Sequence, residues 1–131
     1  MRVILANGCF DVLHRGHIEH LREARAMGDI LIVSLTMDEY VNKPGRPINT
    51  WGDRASVLRE LRCVGAVIPT PNAVSAIRNV RPAVFVKGID YVGGKFSEGV
   101  IEACLEVGAE IRYTKSEKLS STEIIRKLET A

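Results

Sequence analysis

His14 and His17 are the first side chains in this sequence whose type and spacing indicate chemistry. They stand three residues apart, where an apolar run gives way to a helical pattern. At that spacing both imidazoles lie on one face of the first helical turn. The backbone N–H groups there lack helical partners, and the helix dipole adds partial positive charge. Such a turn attracts phosphate, so we predict a nucleoside triphosphate site.

The elements that must hold this turn follow from the apolar pattern. Five short apolar runs predict buried strands at residues 2–6, 30–35, 64–69, 83–87 and 110–113. Helical spacing fills residues 15–27, 51–62, 73–80, 97–107 and a last helix that Ser120 or Ser121 caps and that runs to Leu128. This alternation predicts an α/β fold: a single Rossmann-like domain over residues 1–131, with a five-stranded parallel sheet and helices on both faces.

The predicted sheet also places the site. Ligands of such sheets bind beyond the carboxyl ends of the strands. The loops expected at those ends are residues 7–13, 36–46, 88–94 and 114–121, and the unusual polar residues gather in them. A site at this edge is therefore indicated independently of any motif.

Composition excludes several classes of function. The 131 residues carry a net charge of +2, which is too balanced to indicate nucleic acid or membrane binding. The three cysteines form no C-x-x-C, which favours reduced thiols. With no run of transmembrane length and no signal-peptide pattern, a cytoplasmic protein is expected. No cluster has metal-ligand spacing, so any Mg²⁺ would arrive with the triphosphate.

Other phosphate and nucleophile motifs fit poorly. The first turn lacks G-x-G-x-x-G, and Gly94-Lys95-Phe96 lacks the hydroxyl residue that follows the lysine of a P-loop. No G-x-S-x-G elbow is present. Cys9 lies near the histidines without an identifiable third orienting group, which favours a small packing residue over a thiol nucleophile.

Two motifs together carry a family resemblance. Gly8-x-Phe10-Asp11 followed by His14-x-Gly16-His17 resembles the signature of the cytidylyltransferase-like nucleotidyltransferase superfamily. Residues 119–126 resemble its second signature, over 100 residues further along the chain. The joint occurrence of both motifs in order is much more specific than either alone. The resemblance covers nearly the whole chain, and it is closest to heptose 1-phosphate adenylyltransferase domains and glycerol-3-phosphate cytidylyltransferases.

The resemblance implies a reaction and a set of catalytic residues. A substrate phosphate oxygen attacks the α-phosphate of a nucleoside triphosphate in line, and pyrophosphate leaves. His14 and His17 would donate hydrogen bonds to the α- and β-phosphate oxygens, and Lys43, in a mobile loop, would stabilise the transition state. We expect a histidine near its ordinary pKa of about 6.5 to gain proton affinity when phosphate binds.

The remaining site residues are assigned to the nucleotide or to the acceptor. The predicted nucleotide-binding residues are Gly8, Cys9, Phe10, Asp11, Gly16, Lys87, Asp90, Lys115, Ser120, Ser121 and Thr122. For Asp11, capping of the turn is an equal alternative. The predicted acceptor-binding residues are Arg46, Arg54 and Arg62, although Arg54 also suits a helix salt bridge. His20 is left outside the site.

The choice of substrates stays open between two readings. Residues 46–49, 86–91 and 121–125 resemble the heptose phosphate adenylyltransferases, whereas Gly94-Lys95-Phe96 and the short chain resemble the glycerol-3-phosphate enzymes. Gly65 stands where the latter tend to have an aspartate, which favours ATP and a sugar phosphate over CTP and glycerol phosphate. An FMN adenylyltransferase and a non-catalytic nucleotide-binding module are further alternatives. Because small members of the superfamily are usually dimers, a homodimer is expected.

Overall fold

The sheet is the frame on which the site residues are mounted. The computed structural model describes residues 1–88, 96, 98–115 and 125–128. Its five strands are β1 (Val3–Gly8), β2 (Ile30–Thr36), β3 (Ala66–Thr70), β4 (Val84–Gly88) and β5 (Glu110–Thr114), in the order β3-β2-β1-β4-β5. All neighbouring strands pair in parallel, which confirms the predicted sheet. The strand order reverses between β1 and β4, the kind of switch point where ligands bind.

The helices cover both faces of this sheet. They are α1 (Arg15–Arg25), α2 (Trp51–Arg59), α3 (Ala73–Val80) and α4 (Val100–Val107), with a short 3-10 helix, Asp38–Tyr40, after β2. Residues 125–128 are also helical. Side chains of α1 and α2 share one core, and those of α3 and α4 share another on the opposite face. The predicted arrangement of helices on both faces is confirmed.

Strand β1 is buried on both faces. Ile4 and Ala6 belong to the core beneath α1 and α2, whereas Leu5, between them, belongs to the core beneath α3 and α4. This alternation is what the period of two in a strand requires. None of the three residues has exposed surface, so packing on both faces holds the strand from which the turn after β1 begins.

Two helices are shorter than their patterns predict. Helix α2 ends at Arg59 rather than at residue 62, because the backbone N–H of Leu61 bonds to the carbonyl of Leu58 and closes a tighter turn. Helix α4 begins at Val100 rather than at residue 97, since Gly99 precedes it with a φ of +86°. That left-handed conformation is accessible to glycine and ends any helical run.

The single tryptophan opens α2. The indole Nε1–H of Trp51 donates to the carbonyl oxygen of Leu35 over 2.9 Å, and its ring packs against the core beneath α1 and α2. The guanidinium of Arg59 lies 5.7 Å from the ring centroid. Trp51 therefore joins the end of β2 to the start of α2, next to the loop that precedes this helix.

Candidate active site

Helix α1 is capped by the two histidines themselves. His14 Nδ1 accepts from the backbone N–H of Gly16 at 3.1 Å, and the backbone N–H of His14 donates to His17 Nδ1 at 3.2 Å. Because each ring accepts at Nδ1, each neutral imidazole carries its proton on Nε2. The rings stack with centroids 3.8 Å apart. This helix start therefore carries two stacked imidazoles, each with its N–H at Nε2, and the Nε2 atom of His14 is buried. Such N–H groups are the donors that phosphate oxygens require.

Burial and positive neighbours keep His17 neutral. Its pKa is lowered from 6.5 to about 4, first because burial removes water, and then because His14, His20, Lys43 and Arg46 lie close enough to repel a proton. The expectation that this histidine titrates near its ordinary pKa is wrong for the ligand-free protein. A neutral imidazole still donates a hydrogen bond, and the same neighbours form the positive surroundings that a triphosphate requires.

The turn between β1 and α1 supports His17 through Phe10. This residue has a φ of +46°, and its ring meets that of His17 edge to face, with centroids 5.2 Å apart. A Cβ atom added to Gly8 would lie 3.0 Å from Phe10 Cε2. Gly8 thus leaves the space that the Phe10 ring occupies. The sequence analysis assigned both residues to the nucleotide, and the structure adds this packing role.

Asp11 faces the protein rather than the site. It is 1% exposed, and its carboxylate accepts from the backbone N–H groups of Ile48 and Asn49, at 2.6 and 3.2 Å, and from Arg46 Nε at 3.3 Å. The Asn49 side chain donates to the same carboxylate. The assignment of Asp11 to the nucleotide is corrected to a structural role, because both oxygens are occupied by residues 46–49.

Arg54 is also corrected from an acceptor ligand to a structural residue. It is 3% exposed, and its guanidinium donates to the carbonyls of Asn49 and Cys9, at 3.1 and 3.0 Å, and to Asp38 Oδ1 at 2.6 Å. The alternative prediction of a salt bridge is confirmed, with a partner from the 3-10 helix. A guanidinium committed to three protein oxygens is satisfied where it stands.

The loop before α2 brings further positive charge to the histidines. Lys43 is exposed, and Arg46 pairs with Asp11 with only 7% of its side chain exposed. Both residues are near enough to His17 to lower its pKa. The ion pair with Asp11 therefore holds Arg46, which was predicted to bind the acceptor, close to His17.

Arg62 follows α2, on the stretch of chain that leads to the start of β3. Helix α2 runs back antiparallel to the strands, so its last residues reach their amino ends. Gly65, just beyond, donates its N–H to the carbonyl of Leu31, near the start of β2. A Cβ atom at Gly65 would lie 2.5 Å from Ile30 Cγ1, so close packing requires glycine there. These contacts place the chain after α2 at the amino edge of the sheet and do not support the prediction for Arg62, which stays a prediction.

The carboxyl ends of β4 and β5 bring two lysines to the site edge. Gly88 pairs with Thr114, so Lys87 and Lys115 occupy the ends of neighbouring strands. The backbone N–H of Lys115 donates to Glu23 of α1 at 2.7 Å. His20 Nδ1 is hydrogen-bonded to Thr114 Oγ1 at 2.6 Å, a link from α1 to β5 that the sequence did not reveal.

Four of the predicted nucleotide-binding residues lie outside the described residues. They are Asp90, Ser120, Ser121 and Thr122. Their assignments stay predictions.

A pocket of about 330 Å³ opens beside the histidine turn, at the carboxyl ends of β1 to β4. Its described lining is Asn7, Cys9, Thr36, Tyr40, Pro71, Asn72, Ala73, Val74, Lys87, Phe96, Glu98 and Val100. This volume is at the small end of the range for ligand sites. Lys87 is the one cation among these lining residues, and Glu98 is the one anion.

Most of this lining was missed by the sequence analysis, which had singled out Cys9 and Lys87. Asn7 and Thr36 stand at the ends of β1 and β2, and Asn72 follows β3 and caps α3. The sequence could have indicated Asn72, because ligands of parallel sheets bind beyond the carboxyl ends of the strands, and the loop after β3 lies at such an end.

Two absences hold for the described part of the chain. Its residues include no group of three or more His, Cys, Asp and Glu placed to hold a metal ion. None of its helices combines the length and the apolar character needed to cross a bilayer.

Known proteins resemble this chain over nearly its whole length. A family model described as cytidylyltransferase-like matches residues 5–127. The bifunctional protein HldE of Pseudomonas syringae is 40% identical over 134 residues, which cover 97% of this chain and 28% of that protein. HldE of Vibrio atlanticus is 38% identical over 133 residues, which cover 95% of this chain and 27% of that protein. The chain thus spans just over a quarter of the length of these curated relatives.

Solved structures show the same architecture. A lipopolysaccharide core biosynthesis protein from Thermoplasma volcanium superposes with a TM-score of 0.75 and 27% identity, covering 90% of this chain and 99% of that one. Thermotoga maritima TmcAL, bound with alpha-thio ATP, superposes with a TM-score of 0.69 over 99% of this chain and 50% of its own. At 16% identity, the second likeness concerns the fold alone.

Proposed function

The chain belongs to the cytidylyltransferase-like family, and from that membership we propose that it is a nucleotidyltransferase that transfers AMP from ATP to a sugar phosphate and releases pyrophosphate. Heptose 1-phosphate is the favoured acceptor. The observation that carries the proposal is the pair of mutually capped imidazoles at the start of α1, with Lys43 and Arg46 close to His17.

In the proposed reaction, an acceptor phosphate oxygen forms a bond to the α-phosphorus of ATP while the bond to the β-phosphate oxygen breaks. The electron pair of that bond leaves with pyrophosphate. The attacking phosphate is already largely ionised at neutral pH, since its second pKa is near 6, so no general base is needed. This agrees with a partly buried, neutral His17, whose pKa of about 4 suits a hydrogen-bond donor.

The protein's contribution is then positioning and charge stabilisation. The Nε2–H groups of His14 and His17 would donate to α- and β-phosphate oxygens, where negative charge accumulates in the transition state. Lys43, exposed on its loop, would bring an ammonium to the same oxygens. A single preorganised donor of this kind contributes about 10²- to 10³-fold to kcat.

The 330 Å³ pocket is the proposed acceptor site. Lys87 would pair with the acceptor phosphate, and Asn7, Asn72 and Glu98 would bind hydroxyl groups, which both donate and accept hydrogen bonds. One structural neighbour supports a sugar as well, because the Thermoplasma volcanium protein is a lipopolysaccharide core biosynthesis protein and such a core is built from sugars.

Mg²⁺ is part of the proposal as the companion of ATP. The described residues offer no three-carboxylate or histidine cluster that could hold a resident ion. Asp11, the carboxylate in the turn before α1, is occupied by residues 46–49. The phosphate oxygens would therefore be its main ligands, as is common for Mg²⁺.

Pyrophosphate release tests the activity. The protein is incubated with Mg²⁺, either ATP or CTP, and heptose 1-phosphate, glycerol 3-phosphate or FMN in turn. Turnover is expected with ATP and the heptose phosphate. Turnover only with CTP and glycerol 3-phosphate, or only with ATP and FMN, would replace the proposed substrates. Tight nucleotide binding without turnover in any pair would indicate a non-catalytic module.

The homodimer expected from the resemblance is a separate part of the proposal. Sedimentation velocity across a range of protein concentrations tests it. We expect a sedimentation coefficient that corresponds to a particle of twice the monomer mass. A coefficient that corresponds to the monomer at every concentration would overturn the homodimer.

A further inference from the structure

The loop that carries Lys43 has a fixed base and an exposed tip. Val41 is buried at 9% exposure, whereas residues 42–45 are all exposed. From Arg46 onward the chain is held again by side chains from elsewhere in the fold. Lys43 thus stands on a short segment whose two ends are anchored.

The first anchor is Asp11. Its buried carboxylate accepts from the backbone N–H groups of Ile48 and Asn49, from the Asn49 side chain and from Arg46 Nε. Hydrogen bonds to an ionised carboxylate are roughly twice as strong as neutral ones. Four such donors, three of them on residues 48 and 49, fix the second half of the loop.

The second anchor is Arg54, which holds Asn49 through its carbonyl oxygen. Its Nε donates to the Asn49 carbonyl, while its other nitrogens donate to Cys9 and Asp38. The Asp11 carboxylate therefore accepts from the N–H and the side chain of Asn49, while the Arg54 guanidinium donates to its carbonyl. Because Cys9 and Asp11 belong to the turn before α1, the loop base and the histidine turn form one hydrogen-bonded unit.

We propose that Asp11 is a positioning residue that, together with Arg54, sets the position of Lys43 relative to His14 and His17. The proposal rests on the proposed function, in which Lys43 stabilises the transition state. A misplacement of about 1 Å at a catalytic group can lower a rate about 10²-fold. Loss of the anchor should therefore lower kcat with little change in the KM for ATP.

A double-mutant cycle on the full chain tests the coupling. Asp11→Asn should lower kcat about 10- to 100-fold in the parent, but less than about 3-fold in a Lys43→Ala background. Equal losses in both backgrounds would overturn the proposal, since Asp11 would then act independently of Lys43. Asp53→Asn, the same change at an exposed carboxylate in the first turn of α2, is the matched control and should leave kcat unchanged.

Amide hydrogen exchange provides a readout that does not depend on activity. In Asp11→Asn, exchange of the Ile48 and Asn49 amides should become faster while that of the β1 amides stays unchanged. Unchanged protection at both loop amides would overturn the anchor. If the parent protein shows no turnover, the proposed function fails, and the exchange experiment still decides whether Asp11 holds the loop.

A milder variant covers the case in which Asp11→Asn does not fold. Asn49→Ala removes one side-chain donor to Asp11 at an exposed position. It should lower kcat in the same direction, by a smaller factor, and again only when Lys43 is present. A loss of the same size in the Lys43→Ala background would contradict the proposal.

Discussion

The backbone N–H of His14 donates to Nδ1 of His17, so one imidazole of the candidate site is the helix cap of the other residue. The His17 ring thus caps the helix through Nδ1 and carries the proposed catalytic donor on Nε2. Substituting His17 removes the cap and the imidazole donor together. Glutamine at the same helical position can supply the cap without the imidazole. The two effects can therefore be separated by a pair of variants.

His17→Ala should lower kcat at least about 10²-fold, because it removes a donor to the phosphate oxygens. His17→Gln should also lower kcat, because a flexible amide N–H2 replaces a donor that the imidazole ring holds in place. Only His17→Ala should lose the cap, at a cost of about 1 kcal/mol in the free energy of unfolding. Steady-state pyrophosphate release and urea unfolding measure the two effects. An unchanged kcat in both variants would remove His17 from the mechanism.

The depressed pKa of His17 predicts how stability depends on pH. The folded protein binds this proton near pH 4 and the unfolded chain near pH 6.5, so the unfolded state holds more protons between these values. Stability should therefore fall as the pH drops from 6.5 towards 4. Allowing for partial solvent contact, the wild type should lose about 1 kcal/mol more than His17→Gln between pH 7 and pH 5. Urea unfolding at the two pH values measures this difference, and parallel losses would contradict the assignment.

Gly8 and Gly52 form a matched pair for testing the support of His17. An alanine Cβ at Gly8 would stand 3.0 Å from the Phe10 ring, whereas a Cβ at Gly52 would meet nothing within 4 Å. Gly8→Ala should destabilise the protein by about 1–3 kcal/mol and lower kcat, because Phe10 must move against His17. Gly52→Ala, in the first turn of α2, should be neutral or stabilising by up to about 1 kcal/mol. Equal effects of the two substitutions on thermal unfolding and turnover would contradict this packing role.

Lys87 and Arg62 test which edge of the sheet binds the acceptor. Lys87→Ala should raise the KM for the sugar phosphate about 10-fold or more, since it removes the cation of the pocket lining. Arg62→Ala should leave both KM values unchanged, because α2 ends at the opposite edge. A raised KM for ATP alone in Lys87→Ala would return this lysine to the nucleotide, as the sequence had assigned it. A raised acceptor KM in Arg62→Ala would contradict the pocket assignment.

The fold and the histidine turn were predictable because their signals are local. An apolar run such as residues 2–6 followed by His14-x-Gly16-His17 contains the strand, the turn and the helix start in one stretch. The partners of a buried charged side chain, in contrast, cannot be predicted from the residues next to it in sequence. Asp11 and Arg54 have the residue types of ligands, and only the path of residues 46–49 shows that they bind protein instead. Arg62 is a different case, since the chain after α2 returns to the amino edge of the sheet.

The indole of Trp51 is the only one in the chain, and it sits at the junction between β2 and the loop that carries Lys43. Its emission is therefore an intrinsic optical signal from the part of the molecule whose placement matters for catalysis. Stopped-flow fluorescence of the unlabelled protein can follow the arrival of ATP in real time. Comparing that trace with the time course of pyrophosphate release separates loop movement from bond breaking.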